Sequence, residues 1–406
     1  MIATPLSSLS PEAQLVLLAA GGPAHEDQIA ALLRAGLRWP LVLEIARREG
    51  AVTILWQRLQ SLPQTELPPG AASLRTRVML SEFRQQYLGQ RLDEALEVLS
   101  DAGIRVLLLK GAALALTVYG SFARRPMGDL DLLVEPARAA EAQQLLLANG
   151  WKESRFATRE QFYSDHHHLP PLDDARGTGI ELELHTDLFF RGHPFHPLPA
   201  KMWEGALPLP GRPGTVLVPR LVHQHVYLCI HFAWSHMLTS GGWRTFRDVN
   251  AILSAGGAQW DEFTRLARET RAASCCYWTL RLARNLVGVE VPEEVLKSLQ
   301  PPLPERVLPG LERHFTHEML PTESVCPSVR VGYAAWELAI RPEWSGHGAV
   351  RPWSRVPHFT EGIATEPAAH GGQKLVAHLR KLSAWGRYLR TLAGSTSPPS
   401  AATPTT

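Results

Sequence analysis

Two aspartates flank a single leucine in DLDLLV, residues 129–134, a segment that is otherwise apolar and reads as a buried strand. Successive side chains of a strand alternate faces, so Asp129 and Asp131 present two carboxylates on one side. Charges set in an apolar segment are costly unless a cation or a hydrogen-bond network compensates them. Magnesium takes oxygen ligands, commonly one or two carboxylates together with substrate phosphates. A second acidic strand, ELELH at 181–185, alternates strictly, and its Glu183 supplies a third carboxylate. Glu181 shares that face and is the competing choice. Three acids converging on one point repel unless metal is present. Two ions about 3.5–4 Å apart are the arrangement used for in-line phosphoryl displacement. The acids therefore call for two Mg2+ ions with a nucleoside triphosphate (NTP) as their partner.

A phosphate side is present as well. The run IRVLLLK, 104–110, is short, apolar and partly β-branched, and a helix-forming stretch follows it at Gly111. Free backbone N–H groups at a helix start attract anions, and glycine lets a phosphate approach the backbone closely. Lys110 stands at the strand end. Arg125 lies four residues before Asp129 and suits a charge-assisted bond to phosphate, with Arg124 beside it the less well-spaced candidate. Gly120-Ser121 is an alternative phosphate turn, but Gly111 is preferred because a strand precedes it and a helix follows.

These residues must be positioned by the elements around them. DLDLLV is followed by a helical stretch closed at Asn149-Gly150, giving a β-α-β-α alternation. HHHLPPLDD and GIELELH, separated by ARGT, read as a hairpin. Helices are expected on either side. Ser10-Pro11 caps one start, and the amphipathic pattern of 39–59 breaks near Gly50. A long helix over about 73–99 ends at Asp101-Ala102-Gly103. Helical patterns resume from about 219 in three runs, the last from Asp261 to Gly288, with a further amphipathic helix near 373–393. The fold class is α+β, a small mixed sheet core with flanking helical regions. The boundaries are 1–102 for the N-terminal helices, 103–218 for the core, 219–393 for the C-terminal helices and 394–406 for a disordered tail.

The order strand–LKG–helix, R-x-x-x-DLDLLV, then ELH, resembles the nucleotidyltransferases of the polymerase-β-like superfamily. It is most similar to the uncharacterised bacterial nucleotidyltransferase group with flanking helical regions, and it also resembles toxin-type nucleotidyltransferases. The resemblance extends to the helix before LKG and to the downstream segments with His231 and WRTFRDV. It implies that Asp129 and Asp131 hold the metals, that Glu183 completes the triad and helps deprotonate an acceptor hydroxyl, and that Gly111 receives the phosphates. The superfamily's usual phosphate motif is Gly-Ser, whereas Ala112 follows Gly111 here.

The implied activity moves an NMP from an NTP to a hydroxyl, with release of pyrophosphate. The acceptor is open among a small molecule, a tRNA end, a peptide and a protein. The rival is a catalytically inactive fold kept as a nucleotide sensor or interaction scaffold. A phosphatase of the haloacid dehalogenase type is set aside, because Leu133 stands where that chemistry needs threonine.

Bulk properties narrow the partners. Of 406 residues 45% are apolar and 20% charged, with 41 basic against 39 acidic, a net charge of +2. That balance is not the footprint of a nucleic-acid coat. Cys229, Cys275, Cys276 and Cys326 lack CxxC spacing and read as buried thiols of a reducing cytoplasm. No apolar run reaches the roughly 20 residues of a membrane span, so no membrane partner is expected. His166, His167 and His168 are consecutive. Alternation along a strand argues against a tridentate site, so no transition metal is expected. His185 is taken to face away from Glu183 and to pack. His231, Arg244, Arg247 and Asp248 are read either as closing over the nucleotide or as a buried ion-pair network. The tryptophans near 336–353 are read as core or partner surface.

Overall fold

The computed structural model describes residues 5–22, 25–61, 72–154, 163, 166–191, 193–195, 197–320 and 329–340. Local signals set many element ends. The Ser10 side chain accepts from the Ala13 N–H at 3.2 Å and Pro11 opens the helix Pro11–Gly21. Gly50, at φ 68°, separates the helices Trp39–Arg48 and Val52–Ser61. The long helix runs Ala72–Asp101 and is closed by Gly103 at φ 66°, with the Ile104 N–H bonded to the Leu99 carbonyl.

Seven strands form one mixed sheet: β1 Val106–Leu108, β2 Asp129–Val134, β3 Trp151–Glu153, β4 Leu172–Asp174, β5 Glu181–His185, β6 Leu207–Pro208 and β7 Val216–Val218, in the order β3-β4-β5-β2-β1-β7-β6. This is the expected α+β class, with helices before and after the sheet core. The hairpin read from HHHLPPLDD and GIELELH is the antiparallel β4–β5 pair, with Leu172 opposite Leu182. The β6–β7 hairpin was not anticipated, although GRPG at 211–214 between two apolar runs is a turn signal. β1 and β2 pair antiparallel, so the helix Lys110–Thr117 and the turns after it bring the chain back rather than across. The long run from 261 to 288 divides into the helices Trp260–Glu269 and Ala273–Val287, because Arg271 takes a left-handed φ of 57°.

Alternation along the strands divides the packing. Val106, Leu108, Leu130, Leu132, Leu182 and Leu184 face a core shared with the second half of the long helix and with the helix Ala139–Ala148. Leu107, Leu109, Leu133 and Leu217 face the opposite way, into a core that unites the first four helices with those after residue 220. The acidic side chains of β2 and β5 are on this second face, at the seam between sheet and helices. Cys229, Cys275 and Cys276 are buried free thiols, as expected, and Trp336 is buried with its indole N–H on the Ala233 carbonyl. Cys326, the run from 341 with the other tryptophans, the final amphipathic helix and the tail lie outside the described residues. No helix among the described residues is long and apolar enough to cross a membrane.

The long helix also holds the sheet's far edge. The Arg91 side chain is fully buried, ion-paired with buried Asp174 at 3.2 Å, bonded to the Gly150 carbonyl at 3.0 Å and stacked 4.6 Å from the Trp151 ring centroid. Removing one partner of a buried pair leaves an uncompensated charge. Arg91→Met is expected to cost about 3–5 kcal/mol in urea unfolding. A loss below about 1 kcal/mol would show that the pair does not anchor β3 and β4.

Candidate active site

The register β2–β5 decides the geometry. The strands are parallel, with Asp129 opposite Glu181, Asp131 opposite Glu183 and Leu133 opposite His185. Four carboxylates therefore stand on one face in two adjacent rows. The turn leading into β2 is held by the long helix: Gln85 bonds both the N–H and the carbonyl of Met127, at 3.1 and 2.8 Å, and Arg84 reaches the Gly179 carbonyl before β5 at 2.8 Å.

Asp131 is buried, and two groups converge on its Oδ1: Lys110 Nζ at 2.8 Å and His185 Nε2 at 2.8 Å. His185 also stands 3.2 Å from Glu183. This corrects the reading of His185 as facing away. Residues 183 and 185 are two apart, so they share a face, and the imidazole bridges both acids. Burial opposes ionisation of Asp131, but Lys110 and His185 outweigh it and hold its carboxyl well below the usual range. Burial likewise works against charge on Lys110 and His185, yet their carboxylate neighbours push both upward. His185 brings Glu183 down against the effect of burial. Asp129 makes no ion pair among the described residues. Burial and the charge of Asp131 push it up, although its side chain opens into the cleft.

Lys110 is the first residue of its helix and has a left-handed φ of 42°. A non-glycine residue in that region carries about 1–2 kcal/mol of strain, which the ion pair with Asp131 offsets. Gly111 follows in the first turn. A Cβ there would lie 2.6 Å from a guanidinium nitrogen of Arg125 and 3.0 Å from the Met127 sulfur, so the side chain of Arg125 fills the space that glycine leaves. Arg125 is itself buried and paired with buried Asp248, 2.7 Å between Nη2 and Oδ2, and Tyr119 donates to the same carboxylate at 2.9 Å. Of the four C-terminal residues, Asp248 thus belongs to a buried ion pair. His231 and Arg244 line the cleft, and Arg247 stacks over Tyr119 at 4.9 Å.

The cleft measures about 810 Å³ and lies between the acidic face and the helices. Its floor carries Asp129, Asp131, Glu183, Lys110, Gly111 and Arg125; Gly120 and Ser121 do not line it. Ser121 instead caps the short turn Phe122–Arg124. The helical wall bears Tyr227, His231, Trp234 and Arg244. A π-helical stretch, His231–Ser235, extends the helix Leu221–Ile230. Such widened turns alter the facing of side chains and recur at functional sites. Tyr227 and Trp234 escaped the sequence reading because they sit in an apolar helical pattern that looks like core. Arg244 makes no ion pair among the described residues. Burial first, then the charge of Arg125, pushes its guanidinium down, and the charges of Asp248, Asp129 and Glu49 act against that.

Two carboxylates and one imidazole make a possible acidic metal site here. Ligand atoms of Asp131, Glu183 and His185 lie within 4.8 Å of one another. The like charges of Asp129, Glu181 and Glu183 crowd where a cation would relieve them.

Comparison with known families agrees with this geometry. A family described as uncharacterised nucleotidyltransferase matches residues 35–288, more than half of the chain. The chain belongs to this nucleotidyltransferase family. A search of the curated proteins returns no match. The matched span takes in every strand of the sheet and the helices Leu221–Ile230 and Gly242–Ile252 of the cleft wall.

Glu181 reports on the crowding. Burial first, then Glu183, raise its carboxyl from 4.5 to about 7. The folded state therefore binds more protons than the unfolded chain between those values, so stability falls as pH rises through that window. In metal-free buffer, the wild type should lose stability relative to Glu181→Gln from pH 4.5 to 7 and run parallel above it. Parallel denaturation midpoints across the whole range would show that Glu181 is not crowded.

Proposed function

We propose that this protein is a magnesium-dependent nucleotidyltransferase of the polymerase-β-like type that moves an NMP from an NTP to a hydroxyl. The observation that carries the reading is the register of β2 against β5, which sets Asp131 beside Glu183 with Asp129 one step along the same face, at the floor of an open cleft. Asp129, Asp131 and Glu183 are the residues that would hold two magnesium ions, and the ions would supply charge neutralisation at the phosphates.

The chain's own residues do the rest. Lys110 and Arg125 line the cleft beside Gly111 in the first turn of the helix, and they would bind and orient the triphosphate. Arg244 adds charge from the helical wall. Glu183 would accept the proton of the acceptor hydroxyl as its oxygen bonds to the α-phosphorus and pyrophosphate leaves. Catalysis of this kind rests on positioning and charge stabilisation. The acceptor is a hydroxyl on a small molecule, a tRNA end, a peptide or a protein, and the setting is the cytoplasm. The division into 1–102, 103–218 and 219–393, with a tail beyond, is proposed on the same footing.

A second reading, the nucleotide sensor or scaffold, is favoured by one observation. Lys110 on Asp131 and Arg125 on Asp248 already neutralise each other inside the chain, as a fold that had given up its chemistry would require.

Calorimetric titration of each of the four NTPs with magnesium separates the two. Wild type is expected to bind one NTP only with magnesium. Asp129→Asn/Asp131→Asn should bind it roughly 100-fold or more weakly, the loss of two charge-assisted contacts. Binding that is independent of magnesium and unchanged in the variant would establish the sensor, and no binding of any NTP would leave the scaffold.

A further inference from the structure

The three consecutive histidines do not follow the alternation assumed from sequence. His166 and His167 lie in a bend, and only His168 bridges to β5, opposite His185. The bend is clamped: the N–H groups of Thr186 and Asp187 both bond the His167 carbonyl, at 2.8 and 3.1 Å, and the Leu169 N–H bonds the Leu184 carbonyl. Released from strand geometry, the three imidazoles turn to the same side. One ring nitrogen from each lies within 4.8 Å of the others. The ring centroids are 4.1–5.0 Å apart, and Phe190 covers His166 and His167.

We propose that His166, His167 and His168 form a nitrogen-donor site for a divalent ion of the zinc class, in the cleft wall and distinct from the acidic floor. Imidazole suits zinc, nickel and copper, whereas magnesium prefers oxygen. Tetrahedral zinc with Zn–N near 2.0–2.1 Å needs donors roughly 3.3 Å apart, which small side-chain rotations reach from the present spacing. One donor is already oriented in the manner of metal-bound histidines. The His168 Nδ1 bonds the Leu169 carbonyl at 2.7 Å, which puts the proton there and leaves the Nε2 lone pair free, 3.8 Å from Glu183. The His167 Nδ1 is buried without a hydrogen-bond partner among the described residues. His167 and His168 line the cleft, so an ion has a path in. Bound there, it would pin the bend to β5 and set positive charge beside Glu183.

The site does not depend on the transfer reading, and its test is binding rather than activity. Untagged full-length protein, stripped of metal by a chelator, is titrated with Co2+ followed by visible absorption, then with Zn2+ in competition, in millimolar Mg2+ throughout. Wild type and Asp129→Asn/Asp131→Asn are both expected to bind one ion with the intense bands of a tetrahedral site. His166→Gln/His167→Gln should bind at least about tenfold more weakly. The proposal is overturned if wild type binds no Co2+ or Zn2+, if the histidine variant binds as tightly as wild type, or if the aspartate variant alone loses the ion, which would place it on the acidic floor. Should the double histidine variant not fold, thermal melting of His167→Gln decides. Zn2+ must raise the midpoint of wild type and leave that of the variant unchanged, and equal shifts would refute the site.

Discussion

Everything at the centre of this molecule is arranged around one buried carboxylate. Asp131 is buried, and Lys110 and His185 reach the same oxygen and hold it as an anion. That requirement explains several features at once. It explains why a lysine tolerates a left-handed backbone at the head of a helix, and why β5 pairs with β2 in a register that sets Glu183 opposite Asp131 and brings His185 to the same carboxylate. It also accounts for the unequal fates of the neighbouring acids. The carboxyl next to compensating cations is held low, while Asp129 and Glu181, lacking them, are pushed up by burial and by their neighbours.

A second buried pair plays the same part on the other side of the cleft. Arg125 links the loop before β2 to Asp248 on the helix Gly242–Ile252, and Gly111 is small because the guanidinium passes over it. Two constraints usually argued separately, a glycine for phosphate approach and an arginine for phosphate binding, are here one packing contact. The glycine thus has a structural reason that is complete without a ligand.

The sequence made the sheet face legible because its signal is periodic. DLDLLV and ELELH alternate, and alternation alone places Asp129, Asp131, Glu181 and Glu183 together once the strands are adjacent. The helix punctuation at Ser10, Gly50 and Gly103 was equally plain, since capping and left-handed glycines act locally. What escaped depends on partners distant in the chain. A buried ion pair at Asp248 was among the readings, but its partner Arg125 stands 123 positions away and was not. The short β6 and β7 carry too few residues for a pattern. The bend at 166–168 was not foreseen because a strand was assumed to continue through it, whereas backbone bonds from Thr186 and Asp187 turn the chain.

The two-faced packing of β2 has a bearing on movement. Leu130, Leu132 and Val134 fill one core and Leu133 the other, with the acids between. A slip of one residue would drive leucines into the cleft and carboxylates into oil, so this strand can only stay where it is. Adjustment to molecules of different size therefore falls to the opposite wall, where the π-helical turn after Ile230 and the left-handed backbone at Met237 and Leu238 already depart from regular helix. The floor is regular strand, and the ceiling is helix bent out of regularity.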